Sequence, residues 1–139
     1  MRKASMIAAF GLVIVVTGTF LRWLDSGVVG RNSYQAVAVA GTVLAAPAFR
    51  LWTVVPLLCA VCVVLFVLGL VKTAATATLL TATAVGIVAA IATSRAGDPG
   101  GPIGVSVPGP VTTLAGAGIA LLGALGSLLV RTPEPGGSR

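Results

Sequence analysis

Residues 51–94 read LWTVVPLLCAVCVVLFVLGLVKTAATATLLTATAVGIVAAIATS, with Lys72 as the single charge. Largely apolar sequence stands on either side of that lysine, and as helix each half is long enough to cross a hydrocarbon core about 30 Å thick. The stretch therefore reads as a transmembrane helical hairpin. Two more apolar runs flank it, residues 4–21 before and 111–130 after. The fold expected is an all-α membrane protein, a four-helix transmembrane bundle in one domain over residues 1–139. Its spans fall at about 4–22, 51–71, 73–94 and 111–130.

Composition points the same way. Hydrophobic residues make up 57% of the chain and charged residues 9%, and a water-soluble domain of 139 residues has too little interior to hide that much apolar surface. The net charge is +6, but the basic residues stand singly at the borders of apolar runs rather than in a stripe. That pattern suits anionic headgroups, so membrane lipids are expected partners and nucleic acid is not. Cys59 and Cys62 lie inside an apolar run, which argues against a secreted disulfide scaffold. The opening Met1-Arg2-Lys3 resembles a signal peptide. The apolar run after it is longer than an ordinary signal core, and the nearest Ala-x-Ala, at 38–40, comes far too late. An uncleaved signal anchor is expected.

Within the first span Ala4, Gly11 and Gly18 recur every seven residues, placing small groups on one side of a helix. Trp23 and Arg22 suit the headgroup level, and Gly27 and Gly30 mark turn structure. Residues 35–49 are apolar but short, bracketed by Arg31 and Arg50 and containing Pro47. That length is read as interfacial, re-entrant or buried more readily than spanning. If the segment does not cross, five basic residues (Arg2, Lys3, Lys72, Arg131, Arg139) lie inside against four outside (Arg22, Arg31, Arg50, Arg95); if it crosses, the count reverses. The four-span reading also puts Trp23 and Trp52 at one interface, where indoles are favoured. It is adopted here, with 35–49 as an outward-side interfacial or re-entrant helix and both termini cytoplasmic in the plasma membrane.

The second span carries Pro56 near its outer end, harmless in a first turn and bending elsewhere. In the third, Ala74, Thr78, Ala82, Gly86, Ala90 and Ser94 recur every four residues, a ridge of small side chains that suits close helix packing. Gly116, Ala120 and Ala124, with Gly123 and Ser127 beside them, form a second strip in the last span. Residues 96–110, AGDPGGPIGVSVPGP, read as a flexible loop on proline and glycine grounds, and 132–139 as a cytoplasmic tail.

Little chemistry is on offer. The chain has no histidine, and Asp25, Asp98 and Glu134 are its only carboxylates, none inside a span. GDPGG lacks the lysine, strand and helix start of a phosphate loop. Cys59-x-x-Cys62 lacks the water-accessible helix start that makes such thiols reactive. No catalytic, cofactor-binding or metal residue is therefore assigned, and no cofactor is expected. The outward side offers a possible contact surface: Arg22, Trp23, Asp25, Arg31, Tyr34, Arg50 and Trp52. There Trp23-Leu24-Asp25-Ser26-Gly27 and Arg31-Asn32-Ser33-Tyr34 resemble segments of small multi-pass actinobacterial membrane proteins of unassigned function. The resemblance covers the first third of the chain in detail. It implies a four-span cell-envelope protein without catalytic residues, similar to accessory subunits of envelope or respiratory complexes.

The function expected is that of a non-enzymatic accessory or scaffold subunit, bound to other membrane protein subunits. The alternative is a small transporter or lipid- or anion-binding protein working through Arg31 or Arg50. The two cysteines are expected to be dispensable: replacing either by alanine or serine leaves insertion and assembly intact, measured as membrane-fraction yield. Loss of function in both single variants at normal protein level overturns that reading.

Overall fold

The computed structural model describes residues 3–26, 29–35, 38, 46–94, 104–105 and 107–129. Helices dominate: α1 Lys3–Phe20, α2 Ala46–Val67, α3 Val71–Ser94 and α4 Pro108–Leu129. Between them lie three short strands, β1 Arg22–Ser26, β2 Val29–Asn32 and β3 Gly104–Val105. Three of the helices, α1, α3 and α4, are long and apolar enough to cross a membrane, and the apolar helical run Trp52–Val67 within α2 is shorter. The chain is a multi-span helical membrane protein.

The side chains say the same as the lengths. The buried core is built largely from alanine, including Ala8, Ala74, Ala82, Ala89, Ala117, Ala120 and Ala124, whereas Leu80, Leu122 and Leu129 are 75%, 71% and 80% exposed. Small residues inside and large apolar residues outside is the reverse of a water-soluble bundle, and it suits a solvent of acyl chains.

The helices follow one another round the bundle in chain order, and the ring closes between α1 and α4, which make the most extensive contact. The reason is visible residue by residue. Gly11 lies against Ala120, Gly18 against Thr113, Gly116 against Val15 and Gly123 against Ala8. The two helices run antiparallel, with glycines seven residues apart on each: Gly11 and Gly18 on one, Gly109, Gly116 and Gly123 on the other. A Cβ placed on Gly11 would stand 2.7 Å from the Ala120 Cα, and one on Gly123 equally close to the Ala8 Cα. Backbone therefore touches backbone. A seven-residue repeat keeps such a contact on one stripe when the pair coils gently left-handed.

The ridge on α3 behaves differently. Ala74, Thr78 and Ala82 are buried, Gly86 is half-buried, and Ala90 and Ser94 are exposed. At 3.6 residues per turn an i+4 row drifts by about 40° at each step, so burial passes from Ala82 to Val85 and Ala89 instead. The Thr78 hydroxyl is buried without a partner among the described residues.

Helix ends also depart from the sequence reading. Helix α1 stops at Phe20, so Arg22 belongs to a strand rather than to the first span. Helix α2 begins at Ala46, five residues earlier than expected and inside the segment read as interfacial. Pro56 is thereby in the helix interior. Residues 33–35 and 38 are helical, and the rest of 35–45 lies outside the described residues. The hairpin turn is a full Schellman cap. Gly69 takes φ 80°, its N–H donates to the Phe66 carbonyl at 3.2 Å, and the Leu70 N–H donates to the Leu65 carbonyl at 3.0 Å. Of the expected loop 96–110, residues 104–105 form β3 and α4 starts at Pro108. Pro108 and Pro110 fall in its first turn, where proline costs little. The rest of that loop, apart from Val107, and the tail 132–139 lie outside the described residues.

The strands correct the all-α expectation. They form one antiparallel sheet in the order β2-β1-β3, with Ser26 opposite Val29 and Leu24 opposite both Arg31 and Val105. Two residues separate Ser26 from Val29, the shortest common hairpin connection.

Four glycine-to-alanine substitutions separate packing from propensity. A Cβ at Gly118 meets nothing within 4 Å, so Gly118→Ala should hold or raise stability by up to about 1 kcal/mol. Gly11→Ala and Gly123→Ala should each lower it by about 1–3 kcal/mol, because neither helix can yield without opening the seam. Gly86→Ala should be mild, its Cβ standing 3.5 Å from that of Ala117. Thermal unfolding in detergent reads all four, and equal stability of Gly123→Ala and the parent contradicts the tight seam.

Candidate functional site

The sheet sits at the end of the bundle where α1 finishes and α4 begins. Its attachment starts with a bulge: the register shifts between Arg22 and Leu24, leaving Trp23 without a partner in β2. A bulge re-aims a side chain, and Trp23 is buried with its indole N–H donating to the Gly18 carbonyl at 2.9 Å. Gly109 at the head of α4 lies directly against Trp23 and the Arg22 carbonyl, with no room for a Cβ. Trp52 from α2 meets Trp23 edge to face, ring centroids 5.6 Å apart. Such a pair contributes about 0.5–1.5 kcal/mol beyond its buried area.

A second anchor lies one strand away. The Ser33 hydroxyl donates to the Thr19 carbonyl at 2.5 Å. Thr19 Oγ1 donates to the Val16 carbonyl at 2.7 Å, so the 3.1 Å contact between Thr19 Oγ1 and the Tyr34 hydroxyl has Tyr34 as donor. The Tyr34 ring also packs against Phe20, centroids 5.2 Å apart. The turn into this segment is a reciprocal capping box. The Gln35 N–H donates to Asn32 Oδ1 at 3.0 Å, and the Asn32 N–H donates to Gln35 Oε1 at 3.2 Å.

Of the residues singled out from sequence, Trp23, Tyr34 and Trp52 therefore meet around the end of α1. Arg22 is exposed on β1, its side chain lying across Gly30 of β2, and Arg31 is half-buried. Asp25 pairs through its backbone with Gly30 and Gly104. Its side chain and that of Arg50 lie outside the described residues. Gly116, Ala120 and Ala124 are all buried on α4. Cys59 and Cys62 are free and buried in the core beside Val55 and Ala82.

Sequence reasoning missed Thr19 and Gly109, and placed Ser33 on the outward side without its bond to the Thr19 carbonyl. The signal for Gly109 was present, since Gly109, Gly116 and Gly123 repeat every seven residues as Ala4, Gly11 and Gly18 do, but two flanking prolines disguised the helix start. Asn32-x-x-Gln35 likewise carries a capping signature.

Chemically, this is a braced surface. The hydroxyls of Thr19, Ser33 and Tyr34 are committed to structural bonds. Among the described residues no three His, Cys, Asp or Glu side chains gather closely enough to hold a metal. One polar group of the site stands apart: the Trp52 indole N–H is buried and has no acceptor among the described residues. The chain matches no protein-family model, no curated protein and no solved structure.

The two tryptophans should respond oppositely. Trp23→Phe removes a satisfied buried bond and should cost about 1 kcal/mol or more. Trp52→Phe removes a donor that has no acceptor and should be neutral or stabilising. Thermal unfolding of the lipid-free protein in detergent distinguishes them, and equal losses contradict the assignment.

Proposed function

We propose that this chain is a non-enzymatic four-span plasma-membrane protein that serves as a scaffold or accessory subunit of a larger cell-envelope assembly. Both termini and Lys72 face the cytoplasm, and the sheet-bearing end faces outward. The observation that carries the reading is the braced cap. Buried bonds and rings fix a small sheet to the bundle, while Arg22 and Val29 remain exposed on it and the outer edge of β2 has no strand neighbour among the described residues. The small-residue strips of α1 and α4 are used in closing the bundle itself, which leaves the cap as the contact surface. The resemblance of residues 23–27 and 31–34 to actinobacterial envelope proteins supports the same role.

Topology is tested in a Cys59→Ala/Cys62→Ala background with an impermeant thiol reagent. Val29→Cys should label from outside and Lys72→Cys should not; outside labelling at position 72 rejects the orientation. The subunit role is tested by mild-detergent purification of the tagged chain from its own membranes. A stoichiometric partner should co-purify and be released by Val29→Glu or Arg22→Glu at unchanged thermal stability. A monodisperse chain without partner, or a partner held equally by both variants, overturns it.

A further inference from the structure

Strand β2 is an edge strand, and its register fixes what the open edge presents. A two-residue connection makes Ser26 and Val29 the hydrogen-bonded pair that closes the hairpin. Bonded and non-bonded pairs alternate along an antiparallel ladder, so Asp25 and Gly30 form a non-bonded pair and the Gly30 N–H and C=O point away from β1. Asn32 points the same way, but its N–H is taken by Gln35 Oε1 at 3.2 Å. The open edge therefore holds one complete donor–acceptor set, that of Gly30, which is exposed.

Guanidinium groups flank that set on both faces of the sheet. Arg22, from the middle strand, reaches across Gly30 because the glycine has no side chain: a Cβ there would stand 2.8 Å from the Arg22 Cδ and 3.0 Å from its Nε. Arg31, the next residue of β2, alternates to the opposite face. The one carboxylate of the three strands, Asp25, belongs to the middle strand, so the edge itself is cationic. An antiparallel strand laid along β2 would exchange both main-chain bonds with Gly30, and its side chain at that position would stand on the face of Arg22. The residue beside it would oppose Arg31 in a non-bonded pair, where side chains approach most closely. Two adjacent acidic residues match both cations.

No segment of this chain qualifies. Its carboxylates, Asp25, Asp98 and Glu134, stand singly, and a second copy pairing Gly30 with Gly30 would set Arg22 against Arg22 on one face, like charges directly opposed. Lipid phosphates would meet the arginines but offer no donor to the Gly30 carbonyl. We infer that the open edge of β2 binds an extended segment of a different protein, carrying two adjacent acidic residues, as an added antiparallel strand. The inference rests on the reading of the cap as the contact surface and supplies the chemistry of the partner. With one main-chain pair and two exposed ion pairs the contact is weak and salt-sensitive, one element of a larger interface.

The test uses the full purified chain in mild non-ionic detergent and a fluorescent eight-residue threonine–valine peptide with a central Glu-Asp pair, read by anisotropy. Binding should saturate at one peptide per chain and weaken as salt is raised. Replacing Glu-Asp by Gln-Asn removes the charges, and N-methylating the same two residues removes the donor to the Gly30 carbonyl; each should weaken binding at least fivefold. Arg22→Gln and Arg31→Gln, at unchanged unfolding temperature, should each do the same for the acidic peptide. Equal binding of the N-methylated peptide would overturn the inference by reducing the site to charge alone, and equal binding of the Gln-Asn peptide would remove the arginines from it. No saturable peptide binding, with phosphatidylglycerol retained through the two arginines instead, would assign the edge to headgroups; no saturable binding of either would reject the site altogether. In each of these cases the subunit reading survives if a partner still co-purifies. A chain that binds the peptide but brings down no partner refutes that reading and not this one.

Discussion

The structure depends on the direct backbone contact between α1 and α4. Lipid tails are as apolar as leucine, so nothing expels side chains from the hydrocarbon into a core, and helices hold together only where they approach closely enough for dispersion to accumulate. Gly11, Gly18, Gly116 and Gly123 make that approach possible. Of the remaining helices, α3 packs with an alanine-rich face and α2 with Trp52, Val55, Cys59, Cys62 and Phe66, while many other large apolar residues are left to the lipid. Replacing small by large at the seam therefore differs in kind from the same change on the exposed face of α3.

The cap is a continuation of that seam. Gly18 lies against Thr113 at the last close approach and presents its carbonyl to Trp23; Gly109, one heptad beyond Gly116, leaves the space the indole occupies. The repeat that packs two helices also fixes the geometry of the sheet above them. Tyr34, Ser33 and Thr19 tie down the other side, so Arg22 and Arg31 project from a platform rather than from a loop.

Hydropathy made the helices legible because a continuous apolar run longer than a bilayer has one structural reading. The seam was half legible: the seven-residue spacing of Gly11 and Gly18 announced a contact, but its partner stripe began among prolines, and a proline-rich stretch reads as loop unless the first-turn exception is applied. The sheet was not legible. Its strands have two to five residues, too few for alternation to show, and its inward tryptophan depends on a bulge that has no sequence signature. The α3 ridge was legible as small but not as to which members are covered, since an i+4 row leaves any straight contact within three turns.

The closest pair of helices is also the pair most distant along the chain. The α2–α3 hairpin closes locally through the Gly69 turn, so it needs no other helix to choose its register. The seam brings Ala8 against Gly123, and during synthesis α1 enters the bilayer with its glycine stripe facing lipid while three further helices follow. Insertion order and assembly order are thus opposed: the first helix to be delivered is the last to find its partner, and the bundle becomes a single cooperative body only when α4 arrives. Any factor that shields a small-residue stripe in the membrane would act in that interval, on a surface that the finished protein no longer displays.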